Sequence, residues 1–168
     1  MKKLLISLLL CLFCLNISAQ HMEFNGVEMT GSASDFVAKL KAKGWKDFYE
    51  KEAANDPRLT TLKKEIWASF KDVVACVCTT PKSNVVFTII LDIPVNNFQI
   101  SFESLKQSLI AKYGEPLTDE DNCIMFGSGN PTIGCVILNK LPDGESITCS
   151  YLDLDGLAKN SKETQSDL

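Results

Sequence analysis

Residues 109–116 read LIAKYGEP, and residues 39–45 read KLKAKGW. In each, a leucine is followed by Ala-Lys and then by a glycine. Gly114, with Pro116 behind it, is a helix stop: glycine readily takes the left-handed conformation that closes a helix, and proline cannot continue one. Gly44 carries the same signal. Upstream of the first stop, Phe36, Val37 and Leu40 fall on one helical face; upstream of the second, Phe102, Leu105, Leu109 and Tyr113 do. Ser32 is a candidate N-cap for the first helix, with Asp35 near its positive end, and Ser101 is a candidate for the second. Phe36 and Leu40 correspond to Leu105 and Leu109 sixty-nine residues later. The chain therefore makes an amphipathic helix with the same ending twice.

Strands follow each helix. Residues 73–79 and the run VVFTIILDI at 85–93 are rich in β-branched residues, with the turn TPKSN between them. Three short strands are expected after the second helix, near 122–126, 132–139 and 146–152, separated by Gly-Ser-Gly-Asn-Pro and Pro-Asp-Gly. FNGVEM at 24–29 reads as one short strand. Residues 47–64 are polar and mixed, with a short helix expected around 48–54. Residues 56–70 carry two patterns. Leu59, Leu62, Ile66 and Phe70 have helical spacing behind Asp56-Pro57, yet the same stretch also reads as strands folded at Lys71-Asp72. The fold class is α+β. It comprises tandem α-β-β-β halves, about 24–95 and 101–152, with an antiparallel sheet and two main helices packed on one face. One domain is expected over 20–157, followed by a polar, fraying tail at 158–168.

The first residues, MKKLLISLLLCLFCLNISAQ, have a basic start, an apolar core too short to span a bilayer, and a small-residue junction at Ser18-Ala19. Residues 1–19 are expected to be a cleaved signal peptide, leaving an exported, soluble chain in the periplasm, at the cell surface or outside the cell. Cys11 and Cys14 follow the bulky Leu10 and Phe13, which argues against lipid attachment. Loss of Lys2 and Lys3 would take the net charge from −4 to −6, and Arg58 is the single arginine. Neither fact suits nucleic-acid binding. Cys76, Cys78, Cys123, Cys135 and Cys149 remain, an odd number in a compartment that permits disulfides. Each sits in an apolar strand-like run, so buried, mostly reduced core thiols with at most two disulfides are expected.

The chain resembles small exported proteins of gut Bacteroidetes whose function is unknown. The stretches that carry the likeness are MEFNGVEMTGSASDFVAKLKAKGW, WASFKDVVACVCTTPKSNVVFTIILDIP, SFESLKQSLIAKYGEP, SITCSYLDLDGLAKN and the terminal SDL, nearly the whole of residues 22–168. The resemblance implies strand and turn, rather than helix, for WASFKDV, and so moves Trp67 to Phe70 into strand. Residues 47–61 depart from the pattern. The tandem layout is also similar, at the level of fold, to the β-lactamase inhibitory protein. Neither likeness supplies catalytic residues.

His21, beside the cleavage point, is the one histidine and is expected to be flexible, which weighs against Ser-His-Asp, Cys-His and histidine-zinc chemistry. Cys76-x-Cys78 lacks the usual two-residue spacer of a soft-metal site. DLDG at 153–156 lacks the further ligands of a calcium loop and reads as a solvated turn, while TDEDN at 118–122 reads as a charged loop. No catalytic residue, metal ligand or cofactor site is assigned.

One feature leans toward function. SITCSYL alternates apolar and polar residues, as a sheet covered on one side should. VVFTIILDI does not: Val85, Phe87, Ile89 and Leu91 make one face, and Val86, Thr88 and Ile90 the other. TIGCVIL is apolar on both faces too. Either loops cover the second face or part of it is free to bind. The candidate binding surface is Trp45, Trp67, Val86 and Ile90. The function these features favour is a non-catalytic module of the envelope that binds a protein or a glycan. The alternatives are a small hydrolase using two carboxylates on envelope polymers, or a structural envelope component.

Overall fold

The first repeated helix, α1 (Ala33–Ala42), starts at Ser32, whose hydroxyl accepts from the Asp35 amide, and Phe36 and Leu40 on its inner side are buried. Gly44, at φ 91°, ends it in the left-handed region. The second, α2 (Phe98–Tyr113), buries Phe102, Leu105 and Leu109 and stops at Gly114. It begins a turn earlier than Ser101 predicts. Asn97 is the N-cap, accepting from the Ile100 amide at 3.2 Å, and Phe98 stacks on Phe102. The chain is seen in a computed structural model that describes residues 21–51, 53–120, 122–129, 133–141 and 144–166. The expected leader and its cleavage junction lie outside these residues.

An N-terminal hairpin, β1 (Glu23–Phe24) and β2 (Val27–Glu28), precedes α1. FNGVEM is thus two strands around Asn25-Gly26, both at positive φ, rather than one. Asn-Gly suits that tight turn because both residues tolerate the left-handed region. The remaining strands are β3 (Lys46–Asp47), β4 (Leu59–Trp67), β5 (Phe70–Thr79), β6 (Val86–Pro94), β7 (Thr118–Glu120), β8 (Cys123–Ser128), β9 (Gly134–Lys140) and β10 (Ser146–Asp153). They form one eight-stranded antiparallel sheet in the order β3-β4-β5-β6-β10-β9-β8-β7. The α+β class and the antiparallel sheet are as expected. Each half, however, contributes four strands to this sheet rather than three. The extra pair, β3 and β7, are the sheet's two edges, only two and three residues long and mostly charged, which blunts edge-to-edge pairing. The halves meet at the centre, where β6 pairs with β10.

The ambiguity at 56–70 resolves as strand. β4 pairs with β5 from Leu59↔Cys78 to Trp67↔Phe70, and the hairpin folds at Ala68-Ser69 rather than at Lys71-Asp72. Helical spacing gave way to a long pairing that seats Leu62 opposite Ala75 in the core.

The register separates two faces. The inner rows run Leu62, Ala75, Leu91, Cys149, Leu138, Ile124 and Val77, Ile89, Tyr151, Val136, Phe126; all are buried, in one cluster with the inner residues of α1 and α2. Met22, Phe24, Val27 and Met29 of the N-terminal hairpin region join the same cluster. Phe24 touches Tyr151 at 5.1 Å and Trp45 at 5.6 Å between ring centroids.

The C-terminal segment departs from expectation. Residues 154–165 form a third helix, α3 (Leu154–Gln165), where a solvated turn and a fraying tail are predicted. Asp153 caps it, accepting from the Gly156 amide at 2.8 Å. Glu163 anchors its far end to the β5–β6 turn, accepting from the amides of Lys82 and Ser83 at 2.8 and 3.1 Å and from the Ser83 hydroxyl. Gly156 packs directly on β6, where a Cβ would stand 2.9 Å from that of Phe87. Beyond Leu154, Leu157 and Ala158 the helix is polar, and it is held by its cap, by the seat of Gly156 on β6 and by this anchor.

Candidate functional site

The outer face of the sheet is read off the same register. Its central rows are Lys63, Val74, Asp92, Thr148, Asn139, Cys123 and Thr61, Cys76, Ile90, Ser150, Ile137, Met125. Ile90 lies on β6, one of the two central strands, and is 38 % exposed. Val74, Cys76, Met125 and Ile137 around it are half-buried. The structure thus leaves apolar side chains accessible on the face that, in an antiparallel sheet, ordinarily carries polar residues.

Cover is partial. Residues 48–51 and 53–58 fold over the β4–β5 side, fixed where the Phe48 amide donates to the Thr61 carbonyl at 3.1 Å and the Thr61 hydroxyl donates back to the Phe48 carbonyl. The expected helix at 48–54 is replaced by a single 3-10 turn, Ala53–Asn55. Asp56 and Arg58 close the segment with a forked ion pair, 2.6 and 2.9 Å, and the guanidinium holds the Asp56 carboxyl down at about 2. Between this segment and the sheet lies a cleft of about 500 Å³, lined by Phe48, Glu50, Val74, Cys76, Ile90 and Asp92 among others.

Only one of the four expected surface residues sits here. Val86 does not: Cys78 pairs with Thr88 but Thr79 pairs with Val86, so Phe87 is an extra residue in β6. That bulge reverses the alternation, turning Val86 into the core at 0 % exposure. Trp45 is also core, 2 % exposed, because it follows the α1 stop directly and packs on Phe24. Trp67 is half-buried on the helix side, in a different cleft.

The thiols depart from the expected burial. Cys149 alone is fully buried, and burial pushes it up to about 12. Cys76, Cys78, Cys123 and Cys135 are half-buried on the outer face, and no disulfide joins the five. Cys123 pairs in register with Asn139 and Cys135 with Gly127, so the two thiols share a face without being opposed. A hydrogen bond from the Cys78 thiol lowers Cys76, and the same bond, with burial, raises Cys78.

The sequence also missed a polar cluster. His21 is tied down: its Nδ1 lies 3.2 Å from the carboxylate of Asp153, which is 0 % exposed and also accepts from the Met22 amide at 2.8 Å. Ser128 lines the cavity next to His21, but among the described residues no hydrogen bond joins the two, so the nucleophile-to-base link of a serine triad is not made. What could have exposed Asp153 in the sequence is its place as an aspartate three residues before Gly156 at a strand end, an N-cap spacing.

No family model, curated protein or solved structure matches this chain. Among the described residues, no helix is long and apolar enough to cross a membrane.

Proposed function

We propose that the chain is an exported, non-catalytic binding module of the cell envelope, akin to the small exported Bacteroidetes proteins it resembles, and that its protein or glycan ligand docks on the outer face of the sheet. The observation that carries this is Ile90, accessible on a central strand and flanked by half-buried apolar side chains. A contiguous apolar patch rimmed by polar residues is the surface feature that marks an interaction site. The cleft under residues 48–51 and 53–58 gives that surface a rim and a recess.

The test compares the mature protein with an Ile90→Asp variant whose circular dichroism and melting match the wild type. Each is used to capture companions from the envelope fraction of the host, and the interaction is then mapped by amide exchange. A companion retained by the wild type, lost by the variant, and protecting β5, β6 and β9 supports the reading. Equal capture by both refutes it.

A second reading rests on one observation: Glu50 and Asp92 both line the cleft, as a hydrolase using two carboxylates would require. Release of sugar ends from envelope polymers, abolished by Glu50→Gln or Asp92→Asn, would establish the hydrolase in place of the binding module.

A further inference from the structure

A second cleft, of about 360 Å³, opens on the opposite side of the sheet, between α2 and the β4–β5 hairpin. That size is within the range of small-ligand pockets. Its wall is aromatic. Trp67 stacks on Phe24 and Phe70 with centroids 6.4 and 6.5 Å apart, and Trp67 and Phe70 both line the opening. Ser104 and Ser108, one turn apart on the exposed side of α2, line it as well, as does Ser69 of the hairpin turn.

Charge sets this cleft apart. Lys64 and Lys112 line it, and no Asp or Glu does. Elsewhere Lys41, Lys46, Lys63 and Lys106 each pair with a carboxylate. Lys64 instead donates to the Lys43 carbonyl at 2.9 Å, and the Lys112 ammonium lies 4.8 Å from the Tyr113 ring centroid. Lys112 also borders the cavity holding Glu23 and Glu28, yet forms an ion pair with neither. Lys39, Lys71 and Lys140 form no ion pair with a described carboxylate either, so what distinguishes this cleft is a charged lining of lysine alone beside an aromatic wall.

The geometry points to this cleft as the binding site for a carboxylate-bearing sugar ring, the acidic unit of a glycan. The aromatic wall takes the ring's C–H face, Ser69 and Ser104 offer hydroxyls to those of the sugar while Ser108, which donates to the Ser104 carbonyl, can accept from them, and the lysines neutralise its carboxylate. Lysine acts as a point charge and leaves the carboxylate partly hydrated, which suits a weak, exchangeable sugar contact better than a bidentate lock. The site is independent of the outer face and stands whether or not that face binds anything.

The test titrates the mature protein with a glucuronate-containing disaccharide, with its neutral glucose counterpart, and with acetate and inorganic phosphate, following amide chemical shifts and tryptophan emission. Saturable shifts at Ser69, Ser108 and Lys112, an emission change lost in Trp67→Phe, and no binding of the neutral sugar are expected. Lys112→Gln should weaken the affinity at least about fivefold, while Ile90→Asp binds as the wild type does. Lys112 is exposed, so Lys112→Gln should melt like the wild type, whereas Lys64 is half-buried and donates to the Lys43 carbonyl, so Lys64→Gln and the double variant are compared at a temperature where circular dichroism shows each folded. Equal binding of neutral and acidic disaccharides overturns the proposal. So does acetate or phosphate binding as tightly as the acidic sugar, or shifts confined to other regions.

Discussion

Replacing Asp153 should reveal how much the N-terminal segment and α3 depend on one buried carboxylate. Its two oxygens accept from the Met22 and Gly156 amides, each at 2.8 Å, with His21 at 3.2 Å. Asp153→Ala leaves two buried N–H groups without partners, at about 1–3 kcal/mol each, so a loss of about 3–5 kcal/mol is expected. Relief from desolvating the carboxylate pulls toward the lower figure. Asp153→Asn keeps an oxygen for Gly156, since asparagine caps as well as aspartate, but sets an NH₂ against the Met22 amide, for a loss of about 1–3 kcal/mol. Urea unfolding of the mature chain, followed by tryptophan emission, should rank wild type above Asn above Ala at unchanged slope. The Ala variant retaining wild-type stability within about 1 kcal/mol, or proving more stable than the Asn variant, would refute the latch.

The Glu163 carboxyl is held at about 2, below its ordinary 4.5, chiefly by the Ser83 hydroxyl. Its folded value is depressed, so the anchorage of α3 is complete above about 4.5 and lost as pH falls toward about 2; exchange of the α3 amides should rise over that window, and Glu163→Gln should abolish the dependence. In native labelling with a thiol reagent followed by peptide mass mapping, Cys76 should react before Cys135, which burial raises, and Cys149 should react only on unfolding. Early labelling of Cys149 would contradict its place in the core. N-terminal sequencing of protein from its host should begin at or near Gln20, and a retained leader would overturn the export reading.

The sequence alone determined what depends on neighbours along the chain. Periodicity and the Gly44 and Gly114 stops placed both main helices, β-branched runs placed the central strands, and their repetition gave the α+β class, because helix and strand periods are local properties. Some local signals were present and under-read: Asn25-Gly26 as a hairpin turn, Asn97 as a cap, and Asp153 three residues before Gly156.

Other features were decided only by tertiary structure. Val86 and Ile90 look equivalent by alternation. A single extra residue, Phe87, sends Val86 into the core and leaves Ile90 accessible, because the side-chain period of a strand is two and one inserted residue reverses every face beyond it. Trp45 and Trp67 are both tryptophans near turns. Both pack on Phe24, but the first is buried directly behind the α1 stop, while the second, at the tip of the β4–β5 hairpin, lines a cleft whose other wall, α2, lies some forty residues further along the chain. Residues 154–165 have too few apolar groups to announce a docked helix, since what holds them is Glu163 reaching the Lys82-Ser83 turn and Gly156 fitting against Phe87. Such contacts join residues some seventy to eighty positions apart, and no local pattern encodes which turn will meet which helix.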